Sequence, residues 1–361
     1  VRKNHLRQST PEAPEIHRLL RMMRDKGCSH AVVEATSHGL SPVNNRLGDV
    51  KFDVGVLTNI SHEHLDFHKT LDRYIEDKSQ LFRALSGDKA GAVLNRDERY
   101  YHRFASASNC PILSYSSTGA EADLRAVEVE EGPASQSFTI VHRAINGGAV
   151  RAELPQPGRF NIDNCLAALG AVSRLPGEDI NRYIPAIAAL KPIKGRMVPV
   201  EEGQEFQVVV DYAHTPGSFE KLFPPLREQV KGRLIAVFSS AGERDIEKRE
   251  ILGEIASRYC DLIVLADEDP RGERPMDVLE AVAAGCRGME RGRELFLIED
   301  RSEAIHAAFE MARSGDMVLL LGKGHEGSII YADGPIPWDE EQRAREILRE
   351  MGYQRRKESV S

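Results

Sequence analysis

Short runs of valine, isoleucine and leucine, each followed by a stretch of helical periodicity, recur along this chain and leave few folds open to it. In the second half they fall at 207–211, 234–239, 262–266, 294–298 and 316–321. Helical patterns occupy 218–229, 247–258, 276–285, 301–313 and 339–349 between and after them. Runs that stay apolar on both faces suit buried parallel strands, and their alternation with helices implies βαβ units. The spacing predicts a second doubly wound, Rossmann-like α/β sheet here. The first half predicts another α/β domain, with a mostly parallel sheet covered by helices. It has a helix over 17–27, strands at 30–34, 52–57 and 91–94, and a helix over 71–85. A small antiparallel excursion spans 111–155, with 137–141 as one strand, before helices over 161–175 and 180–190. Pro192 and Gly195 interrupt both periodicities, so 191–196 reads as a linker and the domains as 1–192 and 193–361.

At 361 residues each half can bury its own core. The net charge of −8 offers no basic field for nucleic acid, and no apolar run reaches the roughly 18 residues a bilayer span requires. The opening Val-Arg-Lys-Asn-His does not read as a signal peptide. Five scattered cysteines without CxxC spacing point to reduced thiols, hence a cytoplasmic protein without a disulfide framework.

Polar residues gather where the apolar runs stop, which is where α/β sheets place their chemistry. The run 52–57 gives way to Thr58-Asn-Ile-Ser-His-Glu-His-Leu-Asp66, and the next helix has Thr70 as its expected N-cap. Its apolar face is Leu71, Tyr74, Ile75, Leu81, Phe82 and Leu85, and Lys78 falls on that face. One reading is a lysine whose stem packs while its ammonium reaches water. The other is a desolvated amine able to take up CO2, becoming a carbamate that binds a cation. Glu34, closing the strand at 30–34, and His64 are candidates to share that cation; a carboxylate suits Mg2+. His62, His64 and His68 raise zinc, although their spacing is not that of a helical HExxH site.

In the second half, Gly322-Lys-Gly-His-Glu326 and Glu268-Asp-Pro-Arg271 each follow a strand. Carboxylates with a guanidinium at one sheet edge suit a zwitterion, unless these are merely solvated turns. Asp211 ends the first strand of that half, where it reads either as an acceptor for ribose hydroxyls or as a helix cap. Asn161 reads as a ligand contact or as an N-cap.

Together these segments resemble the Mur ligases, most closely the tripeptide-synthetase branch. The residues that carry the resemblance are Ser9-Thr-Pro-Glu12, Glu34 to Leu40, Thr58 to His68, Lys78, Gly158 to Asn164, Gly195-Arg196, Asp211 to Pro216, Gly242 to Asp245, Glu268 to Arg271 and Gly322 to Glu326. The resemblance implies a central ATP-binding domain followed by an amino-acid-binding domain. The implied activity is ATP-dependent ligation in peptidoglycan precursor synthesis, joining a diamino acid to UDP-MurNAc-L-Ala-D-Glu through an acyl phosphate. It implies Lys78 as a carbamate holding Mg2+ with Glu34 and His64. Gln8, Ser9, Thr10, Thr36, Asn44 and Arg46 would hold the UDP-linked substrate. Asn161, Asn164, Arg196 and Asp211 would contact ATP. Arg244, Glu268, Asp269, Arg271, Gly322 and Glu326 would receive the amino acid. A monomer without membrane or nucleic-acid partners is expected.

Two departures stand out. The family's Gly-rich phosphate loop, GT-x-GK-[ST], has no counterpart among these residues, nor has its UDP-binding domain. The expectation is a fragment whose central domain lacks its first part and whose ligase activity alone is negligible; ATP turnover by the 361-residue chain would contradict this. Glu268-Asp-Pro-Arg271 replaces the Asp-Asn-Pro-Arg usual for the meso-diaminopimelate type. Arg271 favours meso-diaminopimelate, while Asp269 leaves L-lysine or ornithine open. The alternatives are another ligase of the superfamily, such as folylpolyglutamate synthase, and a ligase-like binding protein without catalysis.

Overall fold

The computed structural model describes residues 9–60, 65–132 and 135–354, which fold into two compact units. The first comprises residues 1–130, 137–154 and 159–189, the second 131–136, 155–158 and 190–361.

The first unit opens with α1 (Ala13–Asp25) and the single turn α2 (Ser37–Leu40). It continues through β1 (Val54–Leu57), α3 (Leu65–His68), α4 (Leu71–Ala84), β2 (Gly91–Asn95), α5 (Tyr101–Ala107) and β3 (Ile112–Ser116). Strands β4 (Leu124–Glu131), β5 (Gln136–Val141) and β6 (Ala149–Leu154), then α6 (Arg159–Ser173) and α7 (Ile180–Ile187), complete it. The six strands form one sheet in chain order. Val54 lies opposite Gly91, and Ala92 opposite Ile112, both in parallel register. Buried on both faces, β2 sends Ala92 and Leu94 into a core with α4 and α5, and Val93 into a second core with α6. Helix α6 comes so close that a Cβ on Gly170 would stand 2.7 Å from Val93 Cγ1. Thr70 caps α4 by accepting from Arg73 N at 3.2 Å, and Tyr74, Ile75, Leu81, Phe82 and Leu85 are buried, as the periodicity requires. Truncating Phe82 to alanine would cost about 3–5 kcal/mol.

Two expectations fail in this unit. Residues 30–34 form no strand: they run as irregular chain, with Val32 99% exposed and Glu34 exposed. Strand formation needs a partner ladder, and β1, at the sheet edge, pairs with β2 alone among the described residues. The excursion at 111–155 is also only partly antiparallel. β3 is parallel to β2, and Tyr115 pairs in parallel with Leu124 of β4. The reversal starts at β4 and β5, whose cross-strand contacts Thr139–Glu128 and Ser137–Glu130 run in opposite directions along the two strands.

The second unit runs β7 (Val198–Pro199), β8 (Gln207–Val210), α8 (Pro216–Gln229), β9 (Leu234–Phe238), α9 (Glu247–Tyr259), β10 (Leu262–Leu265) and α10 (Pro275–Ala283). There follow β11 (Leu295–Leu297), α11 (Arg301–Met311), β12 (Met317–Leu320), β13 (Ser328–Tyr331), β14 (Gly334–Pro337) and α12 (Glu340–Glu350). Sheet order is β11-β10-β9-β12-β8-β7, parallel except for β7. The chain steps outward from β8 to β11, then returns to insert β12 between β8 and β9. That reversal opens a crevice beyond the carboxyl ends of β8, β9, β10 and β12. Helices α11 and α12 share one core with the sheet. Among the described residues no helix is long and apolar enough to cross a membrane, and all five cysteines are free thiols.

Candidate active site

In the second unit the loops leaving four strands converge. After β10, Glu268 and Asp269 are buried, and Arg271 takes a left-handed backbone conformation at φ 57°. The β13–β14 hairpin holds that turn in place: Arg271 N donates to Ile330 O at 2.8 Å, and Ile330 N donates to Asp269 Oδ1 at 2.9 Å. From the other side Gly242 N donates to Asp269 O, so close that a Cβ on Gly242 would lie 2.0 Å from Pro270 O. The buried Arg249 pairs through two nitrogens with Glu273, drawing that carboxyl down to about 2. After β12, Gly322 lies against Glu268, where a Cβ would meet Glu268 Oε2 at 2.5 Å. Lys323, fully buried, donates to Asp269 Oδ1 at 2.8 Å and Glu326 Oε2 at 2.6 Å. Tyr212 at the end of β8 offers its hydroxyl to Glu326 Oε1 at 3.3 Å, and the Arg196 guanidinium lies 4.8 Å from the Tyr212 ring centroid.

Beneath these loops Arg301 is fully buried, donating to both oxygens of Glu340, to Asp267 O and to Leu321 O, so one guanidinium ties the ends of β10 and β12 to α12. Several buried polar atoms at this edge have no hydrogen-bond partner among the described residues: Ser239 Oγ, Ser240 Oγ, Glu268 Oε2 and Arg271 Nε. Burial pushes the Glu268 carboxyl up, against the fields of Lys248, His214, Lys323 and Arg301. Buried polar groups normally find partners, and these four leave hydrogen-bonding capacity open at the carboxyl edge of the sheet.

The expected amino-acid residues Glu268, Asp269, Arg271, Gly322 and Glu326 therefore sit on neighbouring loops. Arg244 stands exposed on the Gly242 turn. Asp211 is buried and caps no helix: its Oδ2 accepts from Met197 N and its Oδ1 from Ala213 N, both at 2.8 Å, while Thr215 caps α8. It thereby fastens the 195–197 segment, whose Gly195 packs against Gly324; a Cβ there would meet His325 N at 2.2 Å.

In the first unit Thr10, Thr36, Asn44 and Arg46 form one loop cluster. The Thr10 hydroxyl donates to Glu34 O at 2.7 Å and accepts from Thr36 N at 3.1 Å; Arg46 reaches Thr10 O and pairs with Glu12. Asn44 Nδ2 donates to His38 O at 3.1 Å. Ser9 is exposed, and Gln8, His62 and His64 lie outside the described residues. Lys78 is half-buried on α4, its ammonium 5.6 Å from the Tyr74 ring centroid. Tyr74 abuts the buried His68, which hydrogen-bonds Asp77 Oδ2 at 3.0 Å. Asn161 lies in the first turn of α6 rather than capping it, with the exposed Asn164 donating to it at 3.4 Å. Among the described residues no three His, Cys, Asp or Glu side chains converge as a metal site.

Lys323, Tyr212, Ser239, Ser240 and Asp77 were not singled out from the sequence. Lys323 had a signal there, a lysine in an otherwise Gly-rich turn straight after a buried strand.

Known proteins resemble this chain in both halves. Residues 2–172 match the Mur ligase middle domain, and residues 195–324 the Mur ligase glutamate ligase domain. A UDP-N-acetylmuramyl-tripeptide synthetase of Roseiflexus sp. (strain RS-1) is 47% identical over 363 residues, an alignment covering 97% of this chain and 70% of that protein. A UDP-N-acetylmuramoyl-L-alanyl-D-glutamate–2,6-diaminopimelate ligase of Streptomyces coelicolor is 38% identical, with 95% of this chain and 67% of the relative covered. A solved structure of a ligase of that same name superposes with a TM-score of 0.60 at 29% identity, covering 95% of this chain and 69% of that one. With both domain matches in sequence order and relatives this similar over nearly its whole length, the chain belongs to the Mur ligases, the ATP-dependent amide-forming ligases of peptidoglycan precursor synthesis.

Proposed function

We propose that this chain supplies the ATP-contacting and amino-acid-binding parts of a ligase that joins a diamino acid, meso-diaminopimelate by preference, to UDP-MurNAc-L-Ala-D-Glu. The observation that carries the reading is the set of unpartnered buried polar atoms at the ends of β9 and β10. Carboxylates and a guanidinium there match the ammonium and carboxylates of such a ligand. In the reaction the substrate carboxylate attacks the ATP γ-phosphorus, giving an acyl phosphate and ADP. The neutral amine then adds to the acyl carbon, and phosphate leaves as the amide forms and a proton departs.

Catalysis here is largely positioning and charge neutralisation. Glu326 and Arg271 orient the incoming amino acid; the nucleotide-contacting roles fall to Asn161 and Asn164 in the first unit and to Arg196 in the second, where Asp211 holds the segment that carries Arg196. The Thr10–Thr36–Arg46 cluster, with Ser9 and Asn44, grips the UDP-linked substrate. Magnesium would neutralise the phosphate oxygens. The exposed Glu34 carboxylate fits such a cation, whereas Lys78 fits it only as a carbamate, because an ammonium would repel it.

The test is to supply the native protein with ATP, UDP-MurNAc-L-Ala-D-Glu and each of meso-diaminopimelate, L-lysine and L-ornithine. UDP-tripeptide with the highest kcat/KM for meso-diaminopimelate is expected. No product with any of the three, but glutamate addition to folate, would move the assignment to a folylpolyglutamate synthase.

A further inference from the structure

Asp269 stands where the incoming amino acid is expected, and one of its oxygens is already engaged. Its Oδ1 receives both Lys323 Nζ at 2.8 Å and Ile330 N at 2.9 Å, and its side chain is 9% exposed. Lys323 itself has no solvent exposure, and its second bond goes to Glu326 Oε2 at 2.6 Å. Glu326 differs from Asp269 in being one-third exposed, with its other oxygen 3.3 Å from the Tyr212 hydroxyl. One ammonium thus holds two carboxylates that would otherwise repel each other, and the triad keeps a single net negative charge. Its accessible end is Glu326.

We propose that Lys323 is the positioning residue of this pocket. It fixes Glu326 towards the ligand's ammonium, and its other bond anchors it to Asp269 Oδ1. This rests on the amino-acid-pocket reading given under Proposed function. A lysine serves here because its ammonium donates in three directions to separate acceptors. Removing its charge would leave two buried or half-buried carboxylates facing each other and would swing Glu326 out of place.

The test uses the native protein in the ligase assay, with amino-acid and ATP saturation measured separately. K323M is expected to raise the amino-acid KM at least tenfold while leaving the ATP KM unchanged, and K323R to restore part of the loss. An unaltered amino-acid KM in K323M, with a raised one in E326Q, would overturn the proposal while sparing the pocket reading. Unaltered values in both variants would remove the pocket itself. Should K323M fail to fold, K323R decides: an amino-acid KM equal to that of the wild type would overturn the proposal, and a raised one with the ATP KM unchanged would support it.

Discussion

Lys78 carries its ammonium one helical turn beyond Tyr74 and 5.6 Å from the centroid of that ring. The face of α4 that bears it also carries Ile75 and Phe82, both nearly inaccessible to solvent. Lys78 itself is half-buried on that face. If it acts as a carbamate, arginine cannot replace it, because a guanidinium stays cationic. K78R is expected to lower kcat by about 10²–10³-fold, the scale on which loss of one preorganised charge acts. A 13C resonance from labelled bicarbonate should appear in the wild type and be absent from K78R. Full activity in K78R would end the carbamate reading.

Arg271 offers a guanidinium on a backbone held rigid by Ile330. Lysine keeps the charge and loses the fork. R271K should raise the KM for meso-diaminopimelate about 10- to 100-fold, as charged hydrogen bonds of about 1.5–3 kcal/mol imply. L-Lysine, lacking the distal carboxylate, should be affected less. Equal effects on both substrates would place Arg271 elsewhere.

Arg301 and Glu340 form an ion pair with no solvent exposure on either side chain. E340L strands a guanidinium among apolar neighbours and should cost about 3–5 kcal/mol in urea unfolding. R301M/E340L should recover only part of this, since Asp267 O, Leu321 O and the indole N–H of Trp338 lose their partners. A double variant no better than E340L would show that the pair's charge is not the issue.

Burial pushes the Asp267 carboxyl from its ordinary 3.8 up to about 6, with Glu299 and Asp300 adding to the rise and the Tyr331 hydroxyl and Arg301 opposing it. The folded state therefore holds this proton more tightly than the unfolded one. The resulting stabilisation is complete below pH 3.8 and disappears as pH rises through about 6. D267N copies the protonated shape at every pH. Its melting temperature should exceed that of the wild type at pH 7.5 and match it near pH 4; a gain at both values would point to packing instead.

Periodicity exposed much of this architecture. The five parallel strands of the second unit, its flanking helices, and α4 with its Thr70 cap follow from local pattern, because each is specified by residues close in sequence. Residues 30–34 have strand-like composition but lack a ladder, and a ladder is a property of the neighbour. The β13–β14 hairpin was hidden because Pro335 and Pro337 argue against a strand, although an edge position tolerates them. The site divides in the same way. Glu268, Arg271 and Glu326 could be named from strand ends, whereas the Lys323–Asp269 bond joins residues 54 apart in sequence and the His68–Asp77 pair needs the α3–α4 corner to form.

The turn that presents Arg271 is laid against a β-hairpin: Arg271 N donates to Ile330 O, and Ile330 N donates back to the Asp269 carboxylate of the same turn. Its stiffness is consequently that of a strand and not of an open loop. A ligand arriving at this turn meets a shape that already exists and forfeits little ordering entropy on docking.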